Sequence, residues 1–221
     1  MIKIGAIHSG SANMAPILEK ALAPRFEEFE ILNVIDDTLI KTVIRDQTLT
    51  TRTVKRVADL SEALILAGAD VVVDTCSSIG EAAEIADSLL EKPVQRIDQA
   101  MIDDAVGRYN RIGVLASLST TLDPTVRCVE RTAQRLGRPV TVYSQVAKGA
   151  FEKWAAGEPE AHDALLIEAA RSLTEAEVIL LAQVSMVRVQ DRMARETGKP
   201  IFSSPEHWAE HLRAAFEHGD L

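Results

Sequence analysis

Ala69-Asp70-Val71-Val72-Val73-Asp74-Thr75-Cys76 and Ala176-Glu177-Val178-Ile179-Leu180-Leu181-Ala182-Gln183 share one pattern. Each has an alanine and an acid, then an unbroken apolar run, then an end on a side chain with chemistry of its own. A short apolar run rich in β-branched residues reads as a strand covered on both faces, the habit of parallel sheets. Two further anchors hold the same register: Ile4-Gly5-Ala6-Ile7 matches Ile112-Gly113-Val114-Leu115, and Lys92-Pro93-Val94 matches Lys199-Pro200-Ile201. All three pairs are 107 or 108 residues apart, so the chain is read as one α/β unit written twice.

Working outward, apolar runs predict strands over 2–7, 29–34, 70–75 and 93–97, and again over 111–115, 139–143, 177–182 and 200–202. Helical periodicity lies between them, at 81–90, 125–136 and 161–173. Asp123 and Pro124 are placed as N-cap and first residue of the second of these helices. The expected fold is α/β, with two pseudo-symmetric lobes, each a parallel sheet flanked by helices. The first lobe takes residues 1–97 and the C-terminal helix at 206–221; the second takes 98–205. Open α/β sheets bind ligands beyond the carboxyl ends of their strands. That directs attention to residues 8–13, 76–78, 117–121 and 183–185, with the ligand expected in the cleft between the lobes.

Composition narrows the function. The 221 residues carry 24 Lys and Arg against 33 Asp and Glu, a net charge of −9. An acidic chain with no basic stripe and 4% aromatics lacks the electrostatics and stacking platforms of a nucleic-acid binder. No apolar stretch approaches a membrane span. Two cysteines allow one bridge at most, and free thiols in a reducing cytoplasm are the default. No GxGxxG or GxxxxGK[ST] follows a strand, which argues against nucleotide cofactors.

Cys76 ends a strand and is followed by Ser77-Ser78-Ile79-Gly80-Glu81, where Ser78 and Glu81 have capping-box spacing. A thiol beside a helix N-terminus is expected to favour thiolate; the other reading is a small buried apolar residue. Cys128 lies within a helix and reads as packing. Ser9, Ser11 and Asn13 in the first half, and Ser117, Ser119, Thr120 and Thr121 in the second, form matching hydroxyl-rich loops suited to carboxylate oxygens, with helix capping as the plain alternative. His207 and His211 fit an HxxEH spacing without a third ligand, so no metal site is assigned. Their helix is expected to pack Trp208, Leu212 and Phe216 inward.

These residues resemble the aspartate/glutamate/hydantoin racemase superfamily. Residues 73–78 look like its first cysteine motif, 115–120 like its hydroxyl loop with Ser117 for the usual threonine, and 181–186 fall where its second cysteine motif belongs. The resemblance implies cofactor-independent chemistry on a small carboxylate and a homo-oligomer. It also implies one cysteine on each side of the substrate's α-carbon. Here the second position is Gln183, and an amide cannot exchange protons with a carbon acid. Cys76 is then the single thiolate, His8 the candidate second acid, and Gln183 a hydrogen-bonding group in place of the missing thiol. Ser9, Asn13, Ser77, Ser78, Ser117, Thr120 and Ser185 would hold carboxylate or enediolate oxygens. Two other functions fit the same residues: a decarboxylase or lyase that protonates one face, and a small-molecule binder without catalysis. A Cys76 that alkylates only at high pH carries no activated thiolate and favours the binder.

Overall fold

The two apolar runs are interior strands in a computed structural model that describes residues 1–10 and 14–220. Ser11 and Asn13 lie outside those residues. The elements run β1 (Ile2–His8), α1 (Ala15–Leu22), β2 (Phe29–Ile35), α2 (Asp37–Asp46), α3 (Thr51–Leu66), β3 (Val71–Asp74), α4 (Gly80–Asp87) and β4 (Val94–Arg96). They continue through α5 (Gln99–Arg108), β5 (Arg111–Ala116), α6 (Ser119–Leu136), β6 (Thr141–Val146), α7 (Ala150–Ala155), α8 (Pro159–Arg171), β7 (Val178–Leu181), α9 (Gln190–Thr197), β8 (Ile201–Ser203) and α10 (Ser204–His218). 3-10 segments, one turn at Ser77–Ile79 and two at Val184–Val189, follow β3 and β7.

Two four-stranded parallel sheets result, ordered β2-β1-β3-β4 and β6-β5-β7-β8. The orders are identical once the 107-residue offset is applied. The chain divides into two compact units, Met1–Ile97 with Pro205–Leu221, and Asp98–Ser204. Every residue of β3 and β7 is buried, which explains why neither run alternates.

In the first unit Ile7, Val57, Leu64, Val72, Ile79, Ala83 and Val94 share one core layer. Residues from α10 belong to this unit, where Trp208 is buried and its indole Nε1 donates to Gln95 Oε1 at 2.8 Å. Leu212 is buried as well, whereas Phe216 stays 46% exposed and meets Phe26 edge to face. The second unit has two layers. Met101, Ile102, Val114, Cys128, Val129 and Leu180 form one; Leu115, Leu166, Ile167, Ile179, Met186 and Met193 form the other. Gly5 and Gly113, equivalent in the repeat, each sit where a neighbouring segment presses on the sheet, α3 in the first unit and the loop before β7 in the second. A Cβ on Gly5 would lie 2.9 Å from Leu64 Cβ, and one on Gly113 would lie 3.0 Å from Ala176 Cβ.

Two boundaries differ from expectation for local reasons. The strand expected at 139–143 forms at Thr141–Val146, downstream of Pro139, which has no N–H to give a ladder. The helix expected to start at Pro124 begins at Ser119, with Pro124 inside it. The missing Pro124 N–H costs one bond near the helix start, where Thr121 and Leu122 N–H already bond Leu118 O and the Thr125 hydroxyl donates to Thr121 O. Ser119, Thr120 and Thr121 are thus first-turn residues rather than loop. Among the described residues no helix is long and apolar enough to cross a membrane.

Candidate functional site

In the first unit the chain leaves β3 at Thr75, whose N–H reaches Ile7 O at 3.1 Å, and then presents Cys76 in extended backbone (φ −129°, ψ 104°). Ile79 N–H closes the following turn onto Cys76 O at 2.9 Å. Helical structure therefore starts directly after the cysteine. Ser78 is not its cap, however: α4 is entered through Ile79 with no side-chain cap. Instead the hydroxyl and amide of Ser78, together with the Ser9 hydroxyl, hydrogen-bond the Cys76 thiol. The capping-box spacing at 78–81 was accordingly the wrong reason for the right helix.

Side chains two apart on a strand share a face, and Asp74 uses this relation. Its carboxylate is fully buried, and Oδ1 accepts the Cys76 N–H at 3.1 Å. In the β3–β4 register Asp74 sits beside Arg96. Arg96 is itself buried and donates to Glu84 Oε1 at 2.5 Å. Gly80 makes room for that guanidinium, since a Cβ there would lie 2.8 Å from Arg96 Cζ.

Burial, and after it the Asp74 carboxylate, push the Cys76 thiol up to about 11, against the pull of its bonds to Ser9 and Ser78. The expected thiolate is therefore not the resting form near neutral pH. A single 3-10 turn supplies too little dipole to outweigh desolvation and a neighbouring negative charge.

His8, at the end of β1, is completely buried. Its Nδ1 lies 3.0 Å from Thr75 Oγ1 and its Nε2 lies 2.9 Å from Asn33 Oδ1. Burial holds its pKa below the ordinary 6.5, with the Asn33 bond opposing. The Thr75 hydroxyl donates its one proton to Ile7 O at 3.0 Å, so it accepts from His8 Nδ1–H, while Nε2 pairs with the Asn33 side chain. With both nitrogens occupied, the imidazole orients Thr75 and the loop that carries Cys76. Asp36 N–H bonds His8 O at 2.9 Å, bringing the start of α2 to the same end of the sheet.

The second unit repeats this construction. Ala182 N–H reaches Leu115 O at 2.9 Å, Gln183 is extended (φ −132°, ψ 135°), and Met186 N–H closes the next turn onto Gln183 O at 3.0 Å. Gln183 is thus the structural counterpart of Cys76. Its Oε1 accepts from Ser117 N–H at 2.7 Å and from the Ser117 hydroxyl at 2.9 Å. Ser9 and Ser117 are equivalent in the repeat, so the same serine contacts the same strand-end residue in each unit. Thr120 Oγ1 is buried and has no hydrogen-bond partner among the described residues. Ser185 is half-buried in the turn after Gln183, and Ser77 is buried in the turn after Cys76. Cys128 packs within the second core, its thiol 3.3 Å from Gln99 Oε1. His207 and His211 lie on α10, His211 exposed.

Sequence reasoning overlooked Asp74, Thr75, Asn33 and Arg96. Strand alternation from Cys76 would have found Asp74. Nothing local signals the pairing of His8 with Thr75, 67 residues away.

The family model for Asp/Glu/Hydantoin racemase matches residues 4–212. The chain belongs to this family, one of racemase/isomerase-type enzymes. No curated protein matches it. Among solved structures, glutamate racemase from Francisella tularensis in complex with D-glutamate is similar, with a TM-score of 0.74 and 18% identity, covering 100% of this chain and 83% of that one. Allantoin racemase from Pseudomonas fluorescens gives 0.70 and 17% identity over 99% and 92%. An aspartate racemase homologue from Pyrococcus horikoshii gives 0.67 and 18% identity over 100% of both chains. These likenesses show the same fold.

Proposed function

We propose that the protein is a cofactor-independent isomerase-type enzyme acting on a small carboxylate, with Cys76 as its one thiol acid/base. The observation that supports this most is the pairing of a thiol with Ser9 and Ser78 at the carboxyl end of β3, in a chain that belongs to a racemase family. A thiol held at about 11 is a proton donor at rest. With the substrate's α-proton lost to water on the other face, it would deliver its own proton to the near face of the enediolate, become thiolate, and recover a proton from solvent.

The strand-end hydroxyls are assigned to the substrate's oxygens: Ser9, Ser77 and Ser78 in the first unit, Ser117, Thr120 and Ser185 in the second, with Asn13 alongside. The buried, unpartnered Thr120 Oγ1 supports its share of this role, because such a group costs free energy unless something bonds it. Gln183 supplies an amide where a second acid/base would stand; its Oε1 is occupied by Ser117, leaving Nε2 as a donor. His8 is a positioning residue for the Cys76 loop rather than a proton donor to substrate.

A second reading is decarboxylation or lyase chemistry ending in protonation on one face, favoured by the single thiol that rests protonated. A panel of single-enantiomer amino acids, hydantoins and dicarboxylates, including malonates, assayed with wild type and Cys76→Ser tests both. Turnover abolished by the substitution supports the proposal, and carbon dioxide release identifies the second reading. Unchanged turnover in Cys76→Ser would remove Cys76 from the chemistry, and no turnover on any member would favour a binder, the reading that a thiol held at about 11 also supports.

A further inference from the structure

Between α2 and α3 of the first unit lies a recess of about 230 Å³ that the proposed chemistry does not use. It is lined by Arg45, Arg52 and Arg56, with Thr42, Thr50 and a single carboxylate, Asp46, among the other groups. The chain as a whole is acidic, yet from position 45 to 56 its charged residues are Arg45, Arg52, Lys55 and Arg56 against Asp46 alone. Two of the guanidinium groups are partly compensated. Arg45 donates from Nε and Nη2 to Asp46, at 2.7 and 3.0 Å, and Arg56 donates from Nε to Asp36. Arg52 has no hydrogen bond or ion pair among the described residues, so its five-donor fork is open.

Like charges gathered round one recess repel one another unless an anion joins them. A guanidinium fork matches a carboxylate or a phosphate with two parallel bonds, which water does not replace in kind. The volume falls below the roughly 300–1,000 Å³ of pockets for drug-sized ligands, which limits the occupant to a small group. The recess also has a defined address. Asp36, bonded to Arg56, directly follows β2 and bonds the carbonyl of His8. Leu39, which lines the recess, belongs to the same core layer as Ile79 from the turn after Cys76.

We infer that this recess is a binding site for a small anionic group, a carboxylate or a phosphate, gripped by Arg52 with Arg45 and Arg56 in support. If the reading of the protein as a carboxylate isomerase holds, a natural occupant is a second acidic group carried by a ligand at the same strand end.

Isothermal titration of the intact protein at low ionic strength, with inorganic phosphate in one arm and succinate in the other, tests this directly. Saturable binding of at least one anion is expected, weakened about tenfold or more in Arg52→Glu and in the milder Arg52→Ala. Tighter binding of phosphate or of succinate identifies the source of the anion. Arg52 is exposed, so circular dichroism should report unchanged folding in both variants. Cys76→Ser should bind the anion like wild type, which separates failure of this site from failure of the catalytic reading. Absence of saturable binding in both arms, or equal affinity in Arg52→Glu, would overturn the assignment.

Discussion

The ends of β3 and β7 are built to one plan and carry different chemistry. Each strand ends in an extended residue whose carbonyl closes the next turn, and each such residue is contacted by the equivalent serine, Ser9 or Ser117. In the first unit that residue is Cys76, with a buried carboxylate two positions before it. In the second it is Gln183, with Leu181 in the matching place. The backbone has kept both positions, whereas only one retains a group that titrates. The lesson is that the scaffold alone does not dictate a two-base mechanism; the side chain at each strand end does.

The sharpest way to break this asymmetry is to remove each residue in turn. Cys76→Ser should lower turnover by roughly 10²–10⁴-fold, the range ascribed to a positioned acid or base. Gln183→Ala should cost about tenfold, since it removes a hydrogen-bonding group and frees Ser117. Steady-state kinetics on the same substrate checks both, and equal losses would erase the distinction between the two ends.

A smaller effect follows from Asp74. Its charge disfavours the thiolate, so Asp74→Asn should lower the Cys76 pKa from about 11 by roughly one unit. Below that pKa, one unit means about tenfold faster alkylation at a fixed pH. Iodoacetamide kinetics against pH in a Cys128→Ala background measures this; an unmoved or raised pKa would show that Asp74 serves only to hold the Cys76 N–H.

The paired glycines compare the two units in stability. Gly5→Ala and Gly113→Ala should each destabilise by about 1–3 kcal/mol through overpacking, against α3 in the first unit and the loop before β7 in the second. Gly5 should suffer more, because the Leu64 Cβ it would meet is fixed to α3, and thermal melts rank the pair.

The smallest effect concerns His8, which has no counterpart at Ala116. Its folded pKa lies below 6.5, so the unfolded chain binds the proton more readily. Its contribution to stability is complete above that value and is lost as pH falls below it toward the folded pKa. Urea midpoints should therefore drop between about pH 7.5 and pH 5.5, and less so in His8→Asn.

The sequence carried the strands and their repeat because burial on both faces leaves an apolar run that survives any choice of contacts. All eight strands form, and the offset between Cys76 and Gln183 reappears as identical sheet order. The identity of the strand-end residues was legible for the same reason. The electrostatics of the site were not. The Ser78–Glu81 spacing and the nearby helix suggested a thiolate, while the deciding influences were desolvation and Asp74, which act through space rather than through motif. Likewise the start of α6 was hidden by Pro124, a residue that usually opens a helix and here sits inside one.

In the proposed mechanism one thiol delivers one proton. Running the reaction in deuterium oxide and following the α-carbon by proton NMR tests it most directly. Deuterium incorporated with a single configuration, and lost in Cys76→Ser, is the predicted result. Product labelled equally in both configurations from the outset would contradict it.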